Sequence, residues 1–75
     1  MNIDKEINAR GLNCPLPLMK TKKTLKEMGS GQVLRVIATD SGSMPDILEL
    51  VTETGHTMLD QQHVGNEYIH TIRCK

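Results

Sequence analysis

The chain has 75 residues, nine basic and nine acidic side chains, two cysteines and one aromatic residue, Tyr68. A single domain over residues 1–75 follows, burying only about 60% of its unfolded surface, with a core drawn from Ile, Leu, Val and five Met. The charge balance and the lack of Phe and Trp argue against direct nucleic-acid binding. Two cysteines are too few for a disulfide framework, and no apolar run approaches a signal-peptide core or a membrane span, so a cytoplasmic protein without a membrane partner is expected.

Ile3 to Ala9 reads as the first strand, with Ile3, Ile7 and Ala9 on one face and Asp4, Glu6 and Asn8 on the other. Lys5 interrupts the inward set. A helix is expected from Pro15 to Met28, with Cys14 as its N-cap, Pro15 at the first helical position and Gly29-Ser30-Gly31 as the stop. Val33 to Thr39, rich in β-branched residues, reads as the second strand.

The second helix has a stronger start signal, because Ser43 and Asp46 stand at capping-box spacing with Pro45 in the first turn. Met44, Ile47, Leu48 and Val51 form its apolar stripe, Asp46, Glu49 and Glu53 face away, and Gly55 ends it. Thr57 to Gln62 and Tyr68 to Cys74 then read as strands joined around Gly65-Asn66. The order β-α-β-α-β-β implies right-handed crossovers between parallel strands. With both helices on one sheet face, the fold class is a two-layer α/β sandwich.

Chemistry concentrates in Arg10-Gly11-Leu12-Asn13-Cys14-Pro15-Leu16-Pro17. A thiol between a strand and a helix N-terminus meets orphan N–H groups and the positive end of the helix dipole, which favour the thiolate. Pro15 and Pro17 remove two donors, so the N–H groups of Leu16 and Leu18 are expected near the sulfur. The prolines also stiffen the turn, which limits the entropy lost when a partner docks. A free cysteine is often just a small buried hydrophobe. The turn and its prolines would be an odd way to fill a core, so the reading is a thiol built for presentation.

The segment Asn8 to Pro17 resembles the Cys-Pro-x-Pro signature region of the TusA/SirA family of small sulfur carriers. The resemblance runs on through Gly31, Asp40, Asp46, Gly55 and Ile72-Arg73, covering nearly the whole chain. Two departures are Asn8, where many members carry Asp, and Leu16, where some carry an acidic residue. The resemblance implies a four-stranded mixed sheet in order 1-2-4-3 with strand 4 antiparallel to the rest. It also implies that Cys14 accepts sulfane sulfur as a persulfide and passes it on, supported by Arg10, Gly11, Pro15 and Pro17. The implied partners are cysteine desulfurases, rhodaneses or DsrE-type proteins. The implied pathways are tRNA thiolation, cofactor or molybdenum-enzyme sulfur supply, and dissimilatory sulfur oxidation. Such a protein is a sulfurtransferase only in the broad sense, with no cofactor and no independent turnover of a small molecule.

On the first helix, Leu18, Thr21, Leu25 and Met28 share the side expected to face the core. Leu16 and Met19 fall opposite, among Lys20, Lys23 and Lys26. Lysines on a helix are usually a solvated face, but apolar side chains beside a reactive thiol and ringed by lysine read as a docking patch. Cys74, penultimate and expected to fray, reads as a bystander rather than a disulfide partner or a resolving thiol. His56, His63 and His70 recur every seven residues without tight ligand spacing, so exposed strand histidines are expected and no metal site. Two rival functions stand beside the carrier. One is an interaction or regulatory module using the rigid Cys-Pro turn; the other is a thiol-disulfide redox protein, which needs Cys14 and Cys74 within bonding distance.

Overall fold

In the computed structural model, which describes residues 2–75, the chain runs β1 (Lys5–Ala9), α1 (Leu16–Glu27), β2 (Val33–Ala38), α2 (Ser43–Thr54), β3 (Thr57–Val64) and β4 (Glu67–Arg73). The sheet order is β1-β2-β4-β3. β1 pairs parallel with β2, while β4 pairs antiparallel with both β2 and β3. This is the expected two-layer α/β sandwich with a four-stranded mixed sheet.

The core lies between the helices and one sheet face. Ile7, Ala9, Leu34, Val36, Ala38 and Ile72 from the strands meet Leu25, Ile47 and Val51 from the helices. Alternation puts Glu6, Arg35, Ile37, Asp60, Gln62, Ile69 and Thr71 along the uncovered face. Hydrophobic periodicity therefore set both the elements and their inward sides.

Several boundaries differ from the sequence reading. β1 begins at Lys5 rather than Ile3, because Asp4 closes the strand start: its N–H donates to Val33 O at 2.9 Å, and its Oδ2 accepts from Val33 N–H at 2.8 Å. β3 continues to Val64, with a register shift between Met58 and Asp60. The Gly65-Asn66 turn forms as expected, with Gly65 at φ 61°, and His63 stacks on Tyr68 across it at 4.2 Å between ring centroids.

Neither expected helix cap forms. α1 begins one residue late, with Pro15 as N-cap (φ −99°, ψ 16°) and no side-chain cap. The Cys14–Pro15 peptide is cis. Gly42, not Ser43, is the N-cap of α2, again without a side-chain cap. Ser43 is buried and its hydroxyl serves a different partner, described below. Leu48, placed in the apolar stripe of α2, is 43% exposed, because α2 turns Ser43, Ile47 and Val51 inward instead.

Candidate functional site

The parallel strands β1 and β2 end side by side, Ala9 opposite Ala38. The turn 10–15 leaves one and the loop 39–42 leaves the other, so both helices start at this end of the sheet. Ligand sites of open α/β sheets lie at the carboxyl ends of parallel strands for this reason.

The first turn is pinned by backbone and side-chain bonds. Gly11 takes φ 77°, a conformation that favours glycine, and donates its N–H to Thr39 Oγ1 at 2.8 Å. Leu12 N–H donates to Ala9 O at 3.3 Å. Asn8 does the work of an Asp: its Oδ1 accepts from the Arg10 backbone N–H at 3.0 Å and from Arg10 Nη1 at 3.2 Å. Arg10 Nε pairs with Glu67 at the start of β4. Arg10 and Gly11 thus tie the turn to β4 and to the loop that follows β2. Pro17 is buried in the first turn of α1, while Pro15 is exposed.

Cys14 sits exposed at the apex. Of the two expected N–H donors, that of Leu16 is turned away to Asn13 O at 2.9 Å. Instead the thiol donates to Asp46 Oδ2 at 3.3 Å. An S–H bonded to a carboxylate loses that bond on ionising, so the hydrogen bond to Asp46 pushes the Cys14 thiol up from its ordinary value. Desolvation and the charges of Asp46 and Asp40 add to this. The expected acidified thiol is therefore reversed, because α2 brings a carboxylate against the sulfur.

Around this apex lie two grooves of opposite character. Leu12, Leu16, Met19, Lys20 and Lys23 line one, and Met19, Lys22, Lys23 and Lys26 line its continuation. Leu16 and Met19 are 48% and 59% exposed, so α1 faces outward there as its periodicity requires. Leu12 joins this surface although sequence reasoning passed over it. On the other side Leu18, Lys22, Asp46, Glu49, Leu50 and Glu53 line a cleft between α1 and α2. Asp46 is the functional candidate that sequence reasoning missed. Its signal was present in the resemblance, but the capping-box spacing assigned it to helix initiation.

The other sequence candidates lie elsewhere. Cys74 does not fray: it is buried, with its thiol 3.7 Å from Leu25 O and 3.8 Å from Met28 O, and its N–H bonded to Gln32 O at 2.8 Å. It thus sits at the far end of α1 from Cys14, with a helix about 18 Å long by its rise between them. Both cysteines are free. The histidines do not converge either. His56 Nδ1 accepts from Lys75 N–H at 3.1 Å, His63 is on the hairpin, and His70 is fully buried rather than exposed. No group of three or more His, Cys, Asp or Glu placed to hold a metal occurs among the described residues.

A sequence profile described as "Sulfurtransferase TusA" matches residues 5–74. The chain is 44% identical over 72 residues to the sulfur carrier protein TusA of Allochromatium vinosum, spanning 96% of this chain and 95% of that one. It is 42% identical over 66 residues to the putative sulfur carrier protein YrkI of Bacillus subtilis, spanning 88% of each. Among solved structures, the SirA-like protein of Desulfitobacterium hafniense superposes with a TM-score of 0.78 at 26% identity, covering 92% of this chain and 93% of that one.

Proposed function

The chain belongs to the TusA family of sulfur carriers, and we propose that Cys14 is the atom-bearing site of that function, holding sulfane sulfur as a persulfide. Loading from a donor persulfide R–S–SH proceeds by attack of the Cys14 sulfur on the outer sulfur. The R–S bond breaks as the new S–S bond forms, and the Cys14 proton is released while R–S⁻ takes one up. The products are Cys14–S–SH and R–SH, with no net oxidation. Delivery is the same exchange with this protein as donor.

The observation that carries the reading is the contrast between the two thiols. Cys14 stands exposed at a pinned apex, while Cys74 is buried at the other end of α1. A cargo on Cys14 therefore meets no internal thiol that could expel it as hydrogen sulfide and close a disulfide. The same separation weighs against a thiol-disulfide redox protein, since a bridge needs Cα atoms within about 7 Å.

Partners must reach one sulfur through one small surface. Leu12, Leu16 and Met19 supply apolar contact beside Cys14, with Met19 adaptable enough to pack against more than one partner. Lys20, Lys23 and Lys26 would speed encounter with acidic surfaces. Cysteine desulfurases, rhodaneses or DsrE-type proteins in the cytoplasm suit these roles, feeding tRNA thiolation, cofactor sulfur supply or sulfur oxidation. No described helix is long and apolar enough to cross a membrane.

The test is mass spectrometry of the intact protein after incubation with a sulfane-sulfur donor. A gain of one sulfur mapped to Cys14, absent in Cys14→Ser, is the expected result. Unmodified Cys14 under conditions that load a control persulfide-forming protein would leave the interaction-module reading in its place.

A further inference from the structure

The bond between Cys14 and Asp46 joins the turn before α1 to the first turn of α2. It is the one side-chain hydrogen bond of the Cys14 thiol among the described residues. Asp46 is held there from beneath. The buried Ser43 hydroxyl lies 3.2 Å from His70 Nε2, and Gln61 Nε2 lies 2.9 Å from Met44 O and 3.1 Å from His70 Nδ1. These contacts seat the first turn of α2 on β3 and β4, and so fix where Asp46 can reach.

We propose that Asp46 is the positioning residue of the carrier thiol: it keeps Cys14 of the empty protein as a neutral S–H turned onto α2, and gives up that bond when the sulfur becomes anionic. The proposal rests on Cys14 being the sulfur-bearing residue, and it assigns Asp46 a part in the cycle. An S–H donor suits a carboxylate acceptor, whereas a thiolate or a persulfide anion beside it meets like charge. Loading makes the Cys14 sulfur a bridging atom with no proton to donate, and the more acidic outer S–H, about 2 Å farther along the new S–S bond, ionises to an anion. The empty sulfur is thus held in and slow to react with stray electrophiles, while the loaded sulfur is turned outward toward an acceptor.

The charged groups around this contact are of both signs, and those that act on the sulfur are acidic. Asp40, in the loop before α2, adds to the negative field at the sulfur. A Cβ placed at Gly42 would stand 3.2 Å from Asp40 Oδ2, so the glycine leaves room for the Asp40 carboxylate, while Asp46 Oδ2 at 3.9 Å would be in ordinary contact. Glu49 from α2 and Lys22 from α1 line the cleft that Asp46 borders. Arg10, the cation of the Cys14 turn, is taken by Glu67.

Ionisation of Cys14, followed by thiolate ultraviolet absorbance against pH, tests this in wild type, Asp46→Asn and Asp46→Ser. Both variants should ionise at least about half a pH unit lower, with alkylation at neutral pH faster by about two-fold once the weaker nucleophilicity of a more acidic thiol is counted. Asp40→Asn should move the midpoint in the same direction by less. A measurement on the unaltered chain guards against variants that fail to fold. The Asp46 side-chain carboxyl resonance should step as Cys14 ionises, and that step should vanish in Cys14→Ser. No step in the wild type, or unchanged midpoints in variants that melt normally, would overturn the proposal. None of these readouts uses a sulfur donor, so failure to load would sink the persulfide reading and leave the Asp46 contact standing.

Discussion

The hydroxyl of Ser43 and the ring of His70 meet 3.2 Å apart in the interior, joining the first turn of α2 to β4. Gln61 Nε2 donates to His70 Nδ1, which makes Nδ1 the acceptor and Nε2–H the donor to Ser43 Oγ. The histidine is therefore neutral in the folded state, and burial pushes its pKa down to about 4.

That shift has a defined consequence for stability. In the unfolded chain His70 titrates at its ordinary value of about 6.5. Between about 6.5 and about 4 the unfolded state binds a proton that the native state refuses. The contribution is thus complete above the upper value, is lost as pH falls through this window, and loses nothing more below it. The loss should reach about 3 kcal/mol. Urea denaturation at several pH values should show this acid sensitivity in wild type and a weaker one in His70→Asn. Equal slopes would remove His70 as its source.

Ser43→Ala should destabilise the fold by about 1–3 kcal/mol, because it leaves His70 Nε2–H buried without an acceptor. Ser41→Ala, in the exposed loop two residues earlier, should stay within about 0.5 kcal/mol. Denaturation midpoints of the pair distinguish a lost hydrogen bond from a general effect of losing a hydroxyl.

Leu16→Glu and Met19→Glu should melt within about 0.5 kcal/mol of wild type, since both side chains face solvent. Each should slow sulfur transfer with at least one purified partner. Charge reversal at Lys20 and Lys23 should instead lower the association rate, and the deficit should shrink as salt is raised. A melting transition lost in Leu16→Glu would mean that this side chain supports the core.

Cys74→Ser should leave loading of Cys14 unchanged while costing about 1 kcal/mol of stability, because it places a hydroxyl in a buried site. Intact mass after loading and a thermal melt read the two effects separately. Here the structure departs from the sequence reading, which placed this residue in a frayed end. Gly31 N–H bonds to Cys74 O at 2.8 Å, which continues the β2–β4 pairing past the last assigned residue of β4.

Much of the fold was legible because its code is local. Alternation along β1 and β2, the Gly29-Ser30-Gly31 stop, the glycine at residue 55 and the Gly65-Asn66 turn each act over a few residues. Each survived with boundary changes of one or two residues. The outward direction of Leu16 and Met19 was equally readable, since helical geometry fixes it once Leu25 faces inward. Strand order and the antiparallel β4 came from the family resemblance, not from periodicity.

The sequence by itself determined the element order, the buried faces and the presentation of Cys14 on a proline-stiffened turn, because spacing along one chain sets these through backbone geometry. Only the tertiary structure decided the electrical environment of that thiol. Asp46 is 32 residues from Cys14 along the chain, and its contact arises from two helices starting at the same end of the sheet. Sequence spacing placed Asp46 in a cap, Ser43 beside it and His70 on a wet strand. Packing gave the carboxylate to the sulfur and the hydroxyl to the histidine, because a buried polar group must find its partner among whatever the folded core brings within reach.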